Sequence, residues 1–149
     1  MDIKKFMRDA IKVNQGSTFK EALQIMADKN CNSLLVVDNE NKLVGGIDIV
    51  TLTKAAIPAY LGNEKNLAHF TTDSLFDECL QEVQDKELKD FMMPFTKAIK
   101  INTSMMEAAI IVTEGRQTKI PVLDENGAPV GVFTRSSLKK MLASELGIN

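Results

Sequence analysis

An internal repeat constrains the fold of this chain more than any other feature of its sequence. A shift of 86 residues places residues 19–52 on residues 105–138. Identical residues then coincide, namely Glu21 with Glu107, Ala22 with Ala108, Val36 with Val122, Asp38 with Asp124, Val44 with Val130, Gly45 with Gly131, and Leu52 with Leu138. Self-similarity over such a stretch is typical of a duplicated structural unit. The chain is therefore predicted to contain two copies of one fold.

Each copy is predicted to run in the order β-α-β-β-α. In the first copy a short alternating strand precedes Ser17 and Thr18, either of which can cap a helix whose Glu21 completes a capping box. A continuous apolar run, a polar turn and a second apolar run then predict a hairpin. A last helix begins near Val50, and its counterpart in the second copy begins near Ser136.

This order predicts an α/β (α+β) fold. One copy alone would leave a face of its sheet uncovered, so we expect the two copies to pack sheet to sheet with pseudo-twofold symmetry. The predicted boundaries are residues 1–57 for the first copy, 58–87 for a helical insert and 88–149 for the second copy.

Charge and hydropathy exclude several classes of partner. The chain has 18 basic and 20 acidic residues, so it lacks the excess of positive charge typical of nucleic-acid binding. No apolar run approaches the roughly 18 residues of a membrane-spanning helix. No apolar signal segment is recognised at the N-terminus, and Cys31 and Cys79 have no metal-site spacing and are predicted to be free thiols. We therefore predict a cytoplasmic protein with neither a nucleic-acid nor a membrane partner.

Catalytic and metal-binding motifs are missing from the sequence. His69 is the only histidine, and its neighbours Ala68 and Phe70 lie in the insert. No phosphate-binding loop of the Gly-x-x-x-x-Gly-Lys-Ser/Thr type and no His-Glu-x-x-His motif occurs. The sequence therefore predicts no catalytic residue, no metal site and no enzymatic activity.

The repeated segments resemble the CBS-domain family. Residues 35–38 with 43–47, and residues 121–124 with 130–134, carry its Val-x-Asp hairpin and its Val-Gly step before the last helix. The resemblance covers about residues 3–57 and 88–146. It implies a stand-alone tandem CBS pair, or Bateman module, that senses an adenine nucleotide in a cleft between its motifs and signals to a separate, unidentified protein. It implies no required cofactor, and AMP, ADP, ATP or a cyclic dinucleotide as the ligand.

The favoured cleft is that of the second copy. Family members often carry Gly-x-x-Thr/Ser-x-x-Asp here, with the hydroxyl on phosphate and the carboxylate on ribose. This chain keeps Gly131 and Thr134 but has Ser137 in place of the carboxylate, which implies weaker ribose recognition. Arg135 adds a planar cation suited to phosphate if it faces the cleft. Alternatively, Thr134 or Ser136 only caps the helix.

The resemblance also assigns positions near the base. In the second copy these are Lys97, Ala98, Lys119, Ile120 and Pro121, although Lys119 has the alternative of being a solvated surface lysine.

The first-copy cleft is predicted to be the weaker one, and its counterpart residues are Ala10, Ile11, Ser33, Leu34, Asp48 and Thr51. Asp48 stands where phosphate contact is expected, and like charges repel. We predict Asp48 to be an N-cap, with ribose binding from another angle or cation binding as alternatives.

The insert offers a second hypothesis. Its apolar residues recur at helical spacing, namely Leu75, Phe76, Cys79, Leu80 and Val83, with Thr72 or Asp73 as the N-cap. Such a stripe predicts either core packing or a surface for homodimerisation or partner binding. The alternative function is therefore a ligand-free dimerisation or protein-interaction module.

Overall fold

The computed structural model describes residues 2–63, 69, 71–94, 97–115 and 117–149 as a mixed α/β structure with two three-stranded sheets. The first copy contains β1 (Lys12–Asn14), α1 (Phe19–Lys29), β2 (Ser33–Val37), β3 (Leu43–Asp48) and α2 (Ile49–Ala56). The insert contains α3 (Ala59–Asn63) and α4 (Asp73–Val83). The second copy contains β4 (Ile99–Lys100), α5 (Met105–Glu114), β5 (Lys119–Leu123), β6 (Pro129–Thr134) and α6 (Arg135–Glu145). The predicted β-α-β-β-α order is confirmed in both copies.

The predicted capping box begins α1. Thr18 Oγ1 accepts a hydrogen bond from the Glu21 amide at 3.2 Å, and Glu21 Oε1 accepts one from the Thr18 amide at 3.1 Å. Two amides that the helix itself leaves unpaired are thereby satisfied. The helix ends at Asn30, whose φ of 50° is the left-handed conformation that asparagine tolerates at a helix end.

The repeated aspartates Asp38 and Asp124 build the hairpin turns. Asp38 Oδ1 accepts hydrogen bonds from the amides of Glu40 at 2.9 Å and Lys42 at 3.0 Å. Asp124 Oδ1 does the same with Asn126 and Ala128, both at 2.9 Å. Aspartate favours turns because its carboxylate can bond the backbone that follows it. This explains why both copies have an aspartate at this position of the repeat.

The second sheet places the ends of its strands in a defined register. Its order is β4-β5-β6, with β4 parallel to β5 and β5 antiparallel to β6. Ile99 pairs with Val122, and Lys119 pairs with Thr134. Because β4 runs parallel to β5 and Ile99 is opposite Val122, the residues just before β4 lie toward the start of β5, and the end of β6 lies beside that start.

The chain divides into two units that do not coincide with the two copies. The first unit consists of Met1–Lys12, Val37–Val44 and Phe95–Asn149, and the second of Val13–Val36 and Gly45–Pro94. The first unit thus combines most of the second copy with the start of the chain and with the segment that contains the hairpin turn of the first copy. A division at the ends of the repeats would separate residues that pack together.

In the first unit, residues 2–8 form an opening segment that packs on the second copy. Ile3 is fully buried in the core formed with Ile99, Phe133 and other residues. Arg8 and Val132 of β6 exchange two backbone hydrogen bonds, each 2.8 Å long. A Cβ atom on Gly131 would lie 2.6 Å from Met7 Sδ and 2.8 Å from the Arg8 carbonyl oxygen. Glycine is therefore required at position 131 by this close approach.

The second unit repeats this arrangement with residues 87–93. Leu88 is fully buried, and Met93 exchanges backbone hydrogen bonds of 2.8 and 2.9 Å with Gly46 of β3. A Cβ atom on Gly45 would lie 2.8 Å from the Met93 carbonyl oxygen and 2.9 Å from Met92 Sδ. Glycine is thus required at positions 45 and 131 for the same reason, the close approach of the segment that packs on the strand.

The insert helix α4 has the predicted position and cap. Thr72 Oγ1 accepts a hydrogen bond from the Leu75 amide at 3.2 Å. Within the second unit α4 packs against α2, and Val83 is buried while Phe76 is 49% exposed. The apolar stripe therefore contributes to the core at one end and faces solvent at the other.

The opening segment should contribute strongly to the stability of the second copy. Replacing Ile3 with Ala removes a fully buried side chain and is expected to lower the free energy of unfolding by about 2 to 5 kcal/mol. Ile110→Ala is the control, because Ile110 is 45% exposed and its loss should cost less than about 1 kcal/mol. Urea denaturation followed by circular dichroism measures both, and equal small losses would contradict the packing of Ile3.

Candidate functional site

The candidate site begins where β6 passes into α6. Thr134 is the N-cap of this helix, and its Oγ1 accepts a hydrogen bond from the Ser137 amide at 3.2 Å. Ser137 Oγ in turn accepts one from the Thr134 amide at 3.0 Å, which completes a capping box. Of the two residues suggested as caps, Thr134 takes that role and Ser136 does not. The amides at the start of α6 also supply the partial positive charge that favours an anion.

The two hydroxyl groups of this cap differ in their access to a ligand. They lie 3.2 Å apart and share one hydrogen bond, so one hydroxyl hydrogen remains available. Ser137 is 1% exposed and Thr134 is 8% exposed. When Ser137 donates the shared bond, the hydrogen of Thr134 is left for another acceptor. Capping and ligand contact are therefore compatible at Thr134, whereas Ser137 is enclosed.

Basic side chains lie on the same end of the sheet. Arg135 and Lys119 are exposed, and Lys119 is directly opposite Thr134 in the β5–β6 pairing. Lys97 Nζ lies 3.4 Å from the Glu114 carboxylate, which neutralises part of its charge. Exposed pairs of this kind contribute little to stability. The site thus combines a helix N-terminus with cations that suit a phosphate group.

Gln117, which was not predicted as a site residue, joins two of the predicted segments. Its side-chain Nε2 donates hydrogen bonds to the Lys97 carbonyl oxygen at 3.3 Å and to the Lys119 carbonyl oxygen at 3.0 Å. Lys97 and Ala98 precede β4, and Lys119 begins β5, so these bonds hold the two strand starts together. No local sequence signal indicates them, because they depend on the parallel pairing of β4 with β5.

The remaining predicted residues of the second copy are buried. Ile120 is 1% exposed and packs in the core, and Pro121 and Gly131 are also buried. Their side chains are enclosed by the protein, and Gly131 is explained by the approach of the opening segment. The packing alone explains why these three residues and Ser137 are buried. A ligand role for them stays a prediction.

The first copy has an acidic cap at the corresponding junction. Asp48 is the N-cap of α2, as predicted, and its Oδ1 accepts a hydrogen bond from the Thr51 amide at 2.7 Å. Thr51 Oγ1 lies 3.1 Å from Met93 Sδ. The Asp48 carboxylate is therefore engaged with the backbone and places negative charge where a phosphate would bind.

The other first-copy residues are distributed over both units. Ser33 and Leu34 belong to the second unit together with Asp48 and Thr51, and Leu34 is 3% exposed. Ala10 and Ile11 belong to the first unit, and both are half-buried. Four of the six residues predicted for this cleft therefore belong to the second unit and two to the first.

An apolar groove runs along the outer face of α6. It has a volume of about 460 Å³ and is lined by Arg135, Leu138, Lys139, Leu142, Ala143, Leu146 and Ile148. Leu142 is 53% exposed and Leu146 is 76% exposed. Ile148 reaches the groove because Gly147, with a φ of 69°, reverses the chain after the helix. The groove is thus apolar along most of its length and basic at the end near Arg135.

The described part of the chain gives no support for a metal site or a membrane-spanning helix. There, no group of three or more His, Cys, Asp and Glu side chains could hold a metal ion. Cys31 and Cys79 are free thiols, as predicted. His69 is exposed, while its neighbours Ala68 and Phe70 lie outside the described residues. None of the helices described here is both long and apolar enough to cross a membrane.

Comparison with known proteins shows the same two segments. The model of the CBS domain family matches residues 2–57 and 88–144. Over 132 residues the chain is 26% identical to the CBS domain-containing protein CBSX1, chloroplastic, from Arabidopsis thaliana, covering 85% of this chain and 56% of that protein. The chain therefore spans little more than half the length of this relative.

Two further matches are an enzyme and a crystal structure. Inosine-5'-monophosphate dehydrogenase from Methanocaldococcus jannaschii is 25% identical over 134 residues, which are 90% of this chain and 22% of that enzyme. The crystal structure of CBSX2 from Arabidopsis thaliana in complex with AMP has a TM-score of 0.69 and 19% identity, covering 97% of this chain and 98% of that one. This second likeness shows the fold alone. Because the family model matches both copies of the repeat, the chain belongs to the CBS-domain family.

Proposed function

We propose that this protein is a regulatory module that binds an adenine nucleotide at the second-copy site and signals its occupancy to a separate protein. One observation carries the proposal: a capped helix N-terminus, an exposed arginine and two joined strand starts meet at one end of the second sheet. The AMP complex of CBSX2, which has the same fold, supports the choice of ligand. AMP, ADP, ATP and cyclic dinucleotides remain the candidate ligands.

The phosphate would lie against the start of α6. The helix amides, the remaining hydroxyl hydrogen of Thr134 and the guanidinium of Arg135 are donors suited to it. The base would lie against the backbone of Lys97, Ala98 and Lys119. Ribose recognition would be weak, because Ser137 is enclosed and cannot replace a carboxylate.

The first-copy site would bind poorly or not at all. Its Asp48 carboxylate would repel a phosphate, and the desolvation of two like charges would weaken binding further. The two copies would therefore share a fold and differ in function.

A regulatory role fits the chemistry better than a catalytic one. In the residues that the structure describes, no metal cluster lies at the candidate site, and the hydroxyls of Thr134 and Ser137 bond each other rather than a histidine or a carboxylate. The match to a dehydrogenase covers 22% of that enzyme. The cytoplasmic location, the separate protein target and the boundaries at residues 57 and 87 stay predictions.

Nucleotide binding can be measured by calorimetric titration with AMP, ADP, ATP, a cyclic dinucleotide and GMP. We expect at least one adenine nucleotide to bind more tightly than GMP. Arg135→Ala should weaken that binding about 10-fold, because a charged hydrogen bond to phosphate is lost.

The control for this titration is Lys29→Ala, which removes an exposed cation of α1 in the other unit and should leave the affinity unchanged. A folded wild-type protein that binds none of the adenine nucleotides would contradict the proposed function. Equal losses in the two variants would contradict the role of Arg135.

Homodimerisation through the groove on α6 is a second candidate function. We propose that the groove takes the insert helix α4 of a second copy. Helix α4 carries Asp73, Asp77, Glu78 and Glu82, has no basic residue and exposes Phe76, whereas α6 carries Arg135, Lys139 and Lys140. A reciprocal contact of this kind closes a twofold dimer.

The dimer also suggests how occupancy could be signalled. Arg135 lines the groove and, in the function proposed above, would also bind the phosphate. A bound phosphate and an acidic helix would compete for its charge, so nucleotide and second copy would weaken each other's binding.

Sedimentation equilibrium tests the dimer. Leu142→Asp should raise the dimer dissociation constant at least 10-fold, because it places a charge in an apolar contact. Met106→Asp is the control, since Met106 is 72% exposed on α5 outside the groove. A monomeric wild-type protein at high concentration, or an unchanged dimer in the Leu142→Asp variant, would contradict this arrangement.

A further inference from the structure

The side chain of Gln117 occupies the backbone acceptors to which the proposed function assigns the nucleotide base. Its Nε2 donates to the carbonyl oxygens of Lys97 at 3.3 Å and Lys119 at 3.0 Å. The opposite orientation of the amide would turn Oε1 toward two carbonyl oxygens, and three acceptors would repel one another. The two bonds therefore require the NH2 group to face the strand starts.

This NH2 group resembles the exocyclic amino group of adenine. Both are planar, both carry two hydrogens, and both can donate to two carbonyl oxygens at once. Gln117 is also half-buried, so its bonds are sheltered from part of the solvent. The site thus contains a group of its own with the hydrogen-bonding pattern of the expected ligand.

The first copy lacks this group. The 86-residue shift places Cys31 on Gln117, and a thiol has one weakly donating hydrogen. A glutamine bridge is therefore a feature of the second copy and not a requirement of the repeated fold.

We propose that Gln117 is an internal stand-in for the ligand's amino group and that an adenine nucleotide binds by displacing it. This inference rests on the proposed function and adds regulation to the same site. The nucleotide exchanges the two Gln117 hydrogen bonds for two of its own, so the net gain from base recognition is small. Gln117 thereby lowers the affinity of the second-copy site and raises the nucleotide concentration at which it responds.

A supporting clamp would have the opposite effect. A carbonyl oxygen has two lone pairs, and a side chain that only held the strand starts in place would preorganise the site and increase its affinity. The sign of the change in affinity on removing the amide distinguishes displacement from support.

Gln117→Met tests this inference, because methionine has a similar length and no strong donor. Calorimetric titration of the full chain with AMP should give an affinity about 10- to 30-fold higher than that of the wild type, as expected when two competing hydrogen bonds of typical net strength are lost. The matched control is Gln24→Met. Gln24 lies on the exposed face of α1 and bonds Asp28 at 2.8 Å, so its variant should bind AMP like the wild type.

The outcomes separate the two proposals. If the wild type binds AMP and Gln117→Met binds it equally or more weakly, displacement by the ligand is overturned while the proposed function stands. If neither protein binds AMP, ADP, ATP or a cyclic dinucleotide, both proposals are overturned. Higher affinity in Gln117→Met alone, with an unchanged Gln24→Met control, supports the stand-in.

Discussion

The packing of an opening segment on the last strand of a repeat is the interaction on which the rest of each unit depends. Residues 2–8 pack on β6, and residues 87–93 pack on β3, in each case through two backbone hydrogen bonds beside a glycine that leaves no room for a side chain. Ile3 and Leu88 are fully buried as a result. In both units the strand fixed in this way leads directly into the helix whose N-terminus forms the candidate site.

The two copies share this packing, and a few side chains give their strand-to-helix junctions different chemistry. At the strand-to-helix junction, Thr134 caps α6 with a hydroxyl and Asp48 caps α2 with a carboxylate. Both accept a hydrogen bond from a helix amide, but only the hydroxyl leaves the junction free of negative charge. Two residues before the neighbouring strand, Gln117 carries an amide that donates two hydrogen bonds, whereas Cys31 carries a thiol. The fold therefore tolerates changes that alter the chemistry of one site.

The sequence predicted what depends on local pattern and could not predict what depends on distant pairing. The order of elements and the caps at Thr18, Thr72 and Asp48 follow from residue type and spacing, and all are confirmed. The opening segments were missed because they match at a shift of 85 residues, with Ile3 on Leu88, outside the main register. The burial of Ser137 and the bonds of Gln117 arise only when strands pair. The pseudo-twofold packing of the two copies stays a prediction.

The central claim is that the second copy alone carries the nucleotide site, and amide chemical shifts of isotope-labelled protein titrated with AMP test it most directly. We expect the largest shifts at Lys97, Ala98, Lys119 and Arg135, where base and phosphate would meet the backbone. The amides of Ser33, Asp48 and Thr51 should change little, because the acidic cap disfavours a phosphate there. Shifts centred on those first-copy residues, or no shifts at saturating concentrations of AMP, ADP, ATP and a cyclic dinucleotide, would contradict the claim.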